Sequence, residues 1–302
     1  MNLSDCDKIY QAAWSTSDQD KFRGYCQELF LEYPVIPIGA RRGAIGFWRA
    51  RKVDDGLDWW GNVDEMYAPP ITNAFNRRLS NEGSPCFYAS NYYQTTIHEI
   101  EACVGDVVQF ASFQITEFEQ LLLMTIGEFA NVFERGFMML NGIGLEAYEA
   151  MGFDRMDSAK RSVVISIDKF FAHVLSDVKA RDEAYMRTRT LTELLYVQQP
   201  YAHGIAYPSV RHPHGVNFGI LPEVAKEKLQ NVACFVRKVR GKHSYCMNDL
   251  ESLHSCVDLT AAGDFVWVKA IPGVMHDYNL TLQEIFKRQA EGKLKPRPSA
   301  AQ

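Results

Sequence analysis

The chain has little that marks a stapled, membrane-spanning or nucleic-acid-coating protein. Its 302 residues carry seven cysteines, Cys6, Cys26, Cys86, Cys103, Cys234, Cys246 and Cys256. The number is odd and no two stand at Cys-x-x-Cys spacing, so reduced thiols are expected rather than a disulfide framework or a zinc site. The longest apolar run, around residues 121–126, is far too short to cross a bilayer. The first residues, Met-Asn-Leu-Ser-Asp-Cys-Asp-Lys, lack the charged-then-apolar layout of a signal peptide. Positive charge is not in excess either. Lysine and arginine total 32 against 37 acidic residues, a net charge of −5. A broad nucleic-acid-binding face usually needs a basic surplus, so that role is not expected. A small anionic ligand needs only a few local arginines and stays open. There is no internal repeat and no low-complexity block. The expectation is a soluble cytoplasmic protein without metal or membrane attachment.

What is present is an ordinary globular composition, 47% hydrophobic and 23% charged. A helix is expected after Ser17, which would cap it, with Phe22, Tyr25, Cys26, Leu29, Phe30 and Tyr33 at helical spacing until Pro34. Strands are expected at 44–50, 86–90 and 107–115, with a short helix at 95–102 and loop chemistry over 54–81. The middle reads as helical. One stripe holds Phe129, Val132, Phe133 and Leu140, and a stronger one runs from Val163 to Val178. The cluster Phe129, Phe133, Phe137, Met138 and Met139 reads as core. A further helix is expected at 188–199, then strands at 204–209, 216–221, 233–239 and 265–271. The basic run from Arg237 to Lys242 reads as a solvated sheet edge. Strands at both ends with helices between them predict an α+β fold.

Four polar features interrupt these apolar patterns. Arg49 and Arg51 alternate in Phe47-Trp48-Arg49-Ala50-Arg51. Guanidinium is a planar fork of donors suited to phosphate oxygens, although a lone arginine on a strand is more often solvated. The turn Arg77-Arg78-Leu79-Ser80-Asn81-Glu82-Gly83-Ser84-Pro85 puts N–H groups and guanidinium groups where an anion would sit, or is a plain surface loop. Glu99, in Thr95-Thr96-Ile97-His98-Glu99-Ile100, is either an exposed helix residue or a carboxylate for a sugar hydroxyl or a developing positive charge. Tyr207 and Ser209 stand at the end of an apolar strand, followed by Gly215-Val216-Asn217. Strand ends commonly meet ligands, and this is otherwise a strand-to-turn exit.

Taken in order, these segments resemble the RES family, named for an Arg, a Glu and a Ser. The likeness runs from about residue 46 to 221. It takes in Arg49-Ala50-Arg51, Ala68-Pro69-Pro70, the turn from Arg78 to Pro85, Tyr88, and Thr96 with Glu99. It continues through Tyr185 with Thr188 and closes on Gly204-Ile205, Tyr207, Ser209, Gly215 and Asn217. The resemblance implies an ADP-ribosyltransferase-like split β core with an inserted helical segment. It further implies cleavage of the nicotinamide–ribose bond of NAD, with ADP-ribose passed to phosphate or water. Many members are the toxin half of a bacterial toxin–antitoxin pair, so an antitoxin partner is implied too.

By position, Arg49 matches the first arginine, with Arg51 as fallback, and Arg78 the second. Glu99 matches the glutamate and Ser209 the serine, while Tyr88, Tyr207 and Asn217 would bind substrate. Glu99, Arg49 and Ser209 are then the catalytic set. Arg77, Ser80 and His203 depart from the usual pattern, and 117–182 is longer than in compact members. The division expected is a helical extension over 1–40 and a catalytic domain over 41–225, with its insertion at about 117–182. Residues 226–302 would supply strands that complete the core and a basic, frayed tail. No cofactor is implied beyond NAD as substrate, and a homo-oligomer is left open.

Other readings stand beside this one. The helical segment or the first 40 residues are candidates for covering the pocket or meeting a partner. The same first half-reaction with a protein acceptor would make a mono-ADP-ribosyltransferase. Without chemistry, the set would be a nucleotide-binding module. His212 and His214 offer two nitrogens to a metal-dependent hydrolase, but no nearby carboxylate or cysteine completes the site.

Overall fold

The computed structural model describes residues 1–53, 59–70, 72, 76–136, 138–140, 149, 151–209, 211–212 and 215–270. Phe137, His214 and the tail from 271 therefore lie outside the described residues. The chain mixes helices with one ten-stranded sheet, compatible with the α+β expectation. The strands are β1 (Pro37–Arg41), β2 (Phe47–Val53), β3 (Phe87–Ser90), β4 (Val107–Ile115), β5 (Gln120–Thr125), β6 (Gly204–Pro208), β7 (Val216–Ile220), β8 (Leu229–Lys242), β9 (Asn248–Leu259) and β10 (Phe265–Lys269). Their order across the sheet is β1-β5-β6-β7-β3-β2-β4-β8-β9-β10.

Neighbouring strands run antiparallel except β5 and β6, which are parallel. A parallel pair needs a long crossover. Here the crossover carries α4 (Glu128–Arg135), α5 (Ser158–Ser176) and α6 (Met186–Gln198). The expected insertion at 117–182 is thus corrected. It opens with β5, a strand inside the sheet, and its helices form the connection that the parallel pair requires. The fully apolar run gives β5 no alternation to betray it.

The expected N-terminal extension is also tied into the core. Helices α1 (Leu3–Ser15) and α2 (Gln19–Phe30) pack on α5 and α6. Cys6, Phe22 and Leu29 share one buried cluster with Phe129, Phe171, Leu191 and Ile205. Each such side chain contributes on the order of 1.5–3 kcal/mol when fully buried. Asp18, not Ser17, caps α2, and its carboxylate accepts from the N–H groups of Asp20 and Lys21 at 2.9 and 3.1 Å. An ionised N-cap side chain also meets the positive end of the helix dipole.

Other expectations shift. The strand expected at 44–50 is β2, beginning at Phe47, because a turn through Gly43 at φ 84° precedes it. Phe133 is exposed on α4 and Val178 lies exposed beyond α5, so neither joins its stripe. The run Arg237–Lys242 is no edge. It belongs to β8, between β4 and β9, where Arg237 is buried with its guanidinium over the Phe235 and Tyr93 rings.

A buried acidic knot fastens α4 to α5. Asp168 and Glu128 are both fully buried. Asp168 Oδ1 accepts from Tyr33 Oη at 2.6 Å and Gly127 N at 2.7 Å, and Oδ2 from Ala130 N at 2.9 Å. Glu128 takes the Met139 N–H on both oxygens, at 3.0 and 2.9 Å. The knot caps the first turn of α4, whose own N-cap residue is a glycine with no side chain to offer. No helix among the described residues is long and apolar enough to cross a membrane.

Candidate active site

The site begins where the sheet comes apart. β2 and β3 are neighbours, but they pair at a single position, Trp48 with Ser90. Beside that pair a cavity of about 710 Å³ opens, within the range of small-molecule sites. Arg49, Arg51, Arg78, Tyr88, Glu99, Tyr207 and Asn217 all line it. Residues expected from four separate stretches of sequence thus meet around one space.

Arg49 and Arg51 sit two apart on β2, so both side chains leave the same face. Arg49 Nη1 donates to the Tyr88 carbonyl at 2.9 Å, a side chain bridging the gap that the backbone leaves. Arg51 Nη2 donates to the Tyr67 carbonyl at 2.9 Å, and its guanidinium lies 4.9 Å from the Trp60 ring centroid. The Nε of each arginine is buried without a partner among the described residues. Burial pushes the Arg49 guanidinium below its usual range, and the neighbouring Arg51 charge adds to this. Arg51 is lowered by burial as well.

Arg78 divides its role. Its Nη1 donates to the carbonyls of Leu175 and Asp177, at 2.6 and 2.9 Å, closing the C-terminal end of α5. The side chain still borders the cavity. Tyr88 supports the turn that carries Arg78, since its hydroxyl accepts the Leu79 N–H at 2.7 Å. Burial pushes the hydroxyls of Tyr88 and Tyr207 well up, so both stay neutral donors.

Glu99 stands in the last turn of α3 (Tyr93–Glu99). Ile97 turns into the apolar cluster with Trp48 and Phe110, and Thr96 and Glu99, three apart on one helix face, turn to the cavity. Glu99 Oε1 accepts from Ser209 Oγ at 2.7 Å and from Asn217 Nδ2 at 2.8 Å. Asn217 is held in turn by Ser90 Oγ, which donates to its Oδ1 at 2.7 Å. Glu99 Oε2 has no hydrogen bond among the described residues.

Ser209 is placed differently from expectation. It does not line the cavity. Its hydroxyl donates to Glu99 and accepts the His212 N–H at 3.2 Å, so it steadies the carboxylate from behind. Of the two histidines weighed as metal ligands, His212 has its Nδ1 2.9 Å from Thr95 Oγ1, and His214 lies outside the described residues.

The sequence reading missed Ser90, Trp60, Arg181 and Arg211. Trp60 sits in a loop and Arg181 in the short 3-10 helix Ala180–Glu183, with no pattern to single either out. Ser90 looks like the small end of an apolar strand. With these included, the cavity is bordered by seven cationic side chains and three carboxylates, in a chain of net negative charge. Arg211 and Lys52 have carboxylate partners, Glu101 at 2.7 Å and Asp106 at 2.9 Å. Arg49, Arg51 and Arg78 have none among the described residues. The arrangement suits a ligand with several negative charges and a hydroxyl directed at Glu99. Compared with family models, curated proteins and solved structures, the chain has no match in any of the three.

Proposed function

We propose that the chain cleaves the nicotinamide–ribose bond of NAD and transfers ADP-ribose to phosphate or water. The observation that carries this reading is the state of Glu99. One oxygen is pinned by Ser209 and Asn217, the other has no hydrogen bond among the described residues, and the side chain borders the cavity beside arginines that have no carboxylate partner among those residues.

The chemistry asks for little more. Nicotinamide is already a cationic leaving group. As the C–N bond breaks, its electron pair neutralises the ring, and positive charge grows on the ribose. The barrier is the oxocarbenium-like sugar, as in glycoside cleavage. A free Glu99 Oε2 is suited to hold a ribose hydroxyl and offset that charge. Arg49, Arg51 and Arg78 are suited to anchor the diphosphate through charge-assisted bonds. The acceptor oxygen then bonds to the sugar and releases its proton. Water gives ADP-ribose, and phosphate gives ADP-ribose 1-phosphate. The finer fold expectation, an ADP-ribosyltransferase-like split core, belongs to the same proposal. The single-pair contact between β2 and β3 supports it. A toxin role with an antitoxin partner belongs to the same proposal.

The test is incubation with NAD, with and without phosphate, followed by identification of products. Nicotinamide release is expected from the wild type, and Glu99→Gln should lower it by roughly 10²–10³-fold, as for loss of one preorganised electrostatic group. A wild type that releases none under either condition overturns the proposal and leaves a binding module.

A further inference from the structure

Part of the cavity wall is the corner joining α5 to α6, where Val178, Arg181, Asp182 and Tyr185 line the space. Two consecutive residues there, Ala184 and Tyr185, have left-handed φ of 47° and 61°. Side chains other than Gly, Asn and Asp avoid that region. Glu101, with φ 53°, is a second cavity-lining residue of this kind. Backbone strain of this sort persists where the surroundings enforce it, and it gathers at ligand sites.

The surroundings enforce it here. Tyr185 N donates to the Ala180 carbonyl at 2.7 Å, and Thr188 Oγ1 donates to the Tyr185 carbonyl at 3.0 Å. Arg78 fastens the start of the corner through Leu175 and Asp177. Glycine or asparagine would hold this geometry more easily, so the tyrosine side chain itself needs a reason. The other cavity aromatics are already engaged. Trp48 and Tyr207 are nearly wholly buried, Trp60 carries Arg51, and the Tyr88 hydroxyl holds the turn. Tyr185 is half-buried and makes no ring contact among the described residues. Arg181, four residues before it, is exposed and lines the same space. Arg181 forms no ion pair among the described residues.

We infer that Tyr185 and Arg181 are ligand-binding residues of this cavity, the ring lying against a heteroaromatic base and the guanidinium meeting a phosphate of the same molecule. The ligand class is a base joined to a diphosphate, which rests on the reading of the site given above. Aromatic stacking on a base is tolerant of which base it is.

The test is calorimetric titration of ADP-ribose and of inorganic pyrophosphate into the full chain, run beside nicotinamide release from NAD. Tyr185→Asn suits the left-handed backbone and removes the ring. It should weaken ADP-ribose at least tenfold and leave pyrophosphate within twofold, while Tyr185→Phe stays within threefold for both. Arg181→Gln should weaken both at least fivefold. ADP-ribose affinity untouched by Tyr185→Asn overturns the inference, as does a wild type that binds neither ligand. If Tyr185→Asn does not melt cooperatively, the exposed Arg181→Gln decides, and unchanged affinity for both ligands overturns it. Tyr185-dependent binding without nicotinamide release upholds this inference and defeats the cleavage reading. Nicotinamide release with a KM indifferent to Tyr185→Asn does the reverse.

Discussion

The cavity and the acidic knot between α4 and α5 both hold ionisable groups away from bulk water, and they differ in how fully those groups are partnered. In the knot, every carboxylate oxygen of Asp168 and Glu128 is reached by a donor, from the backbone or from Tyr33. In the cavity, among the described residues, Arg49 and Arg51 keep a buried Nε without a partner and Glu99 keeps one oxygen without a hydrogen bond. A saturated network holds structure, because nothing remains for a ligand to supply. An unsaturated one costs stability and invites a ligand to complete it. The two regions should therefore respond in opposite ways to losing their ionisable side chains.

The largest effect is expected in the knot. Asp168→Ala leaves the N–H groups of Gly127 and Ala130 and the Tyr33 hydroxyl unanswered in a dry interior. At roughly 1–3 kcal/mol for each such group, the cost should be about 4 kcal/mol, a large part of a typical domain's stability. Denaturant unfolding measures it. A loss under 1 kcal/mol would mean the knot is no more structural than the cavity.

The second knot carboxyl gives a pH signature. Burial pushes Glu128 up to about 8, with the Met139 N–H opposing the shift and the Asp168 charge adding to it. The folded chain then keeps a proton that the unfolded chain releases from about pH 4.5 upward. Stability from this group is complete below that pH, falls as pH rises toward 8, and is level above it. Glu128→Gln should remove most of that fall and leave the variant more stable than wild type at pH 9, by on the order of 2–4 kcal/mol. Urea midpoints between pH 5 and 9 test this. Parallel curves for the two proteins would refute it.

These contrasts also explain what the sequence disclosed. β4 matches its expected bounds, and Arg49 and Arg51 stand out because charge alternating within an apolar strand breaks a regular pattern. β9 was hidden because its residues are half-exposed or exposed along the whole strand, with no buried alternation to read. β5 was hidden for the opposite reason, an apolar run that fits helix or strand equally. At the site, residue types could be read but not their orientation. Ser209 was legible as a polar group at a strand end. That it faces the back of Glu99 depends on the turn closed by Ser209 N donating to the Gly215 carbonyl at 2.8 Å, which no local pattern announces.

The cavity side of the comparison is sharpened by Arg49→Met. It removes a half-buried charge that burial already disfavours, so stability should stay level or rise by up to about 1 kcal/mol. Affinity for NAD should fall about 10- to 100-fold, in line with loss of a charge-assisted contact. Thermal unfolding and calorimetric titration read the two effects separately. A destabilisation as large as that of Asp168→Ala would place Arg49 with the structural network instead.

The smallest effect is the most diagnostic of how the cavity is built. Ser209 contributes one hydrogen bond to Glu99 and does not border the cavity, and Asn217 holds the same oxygen. Ser209→Ala should therefore cost about 1 kcal/mol of stability, as for a typical intramolecular hydrogen bond. The remaining Asn217 contact should keep Glu99 in place most of the time, so kcat for nicotinamide release falls roughly tenfold while KM for NAD holds. Ser209→Thr, which keeps the hydroxyl, should restore most of the rate. A rise in KM with kcat unchanged would mean that the hydroxyl meets the substrate directly and that the carboxylate needs no second support.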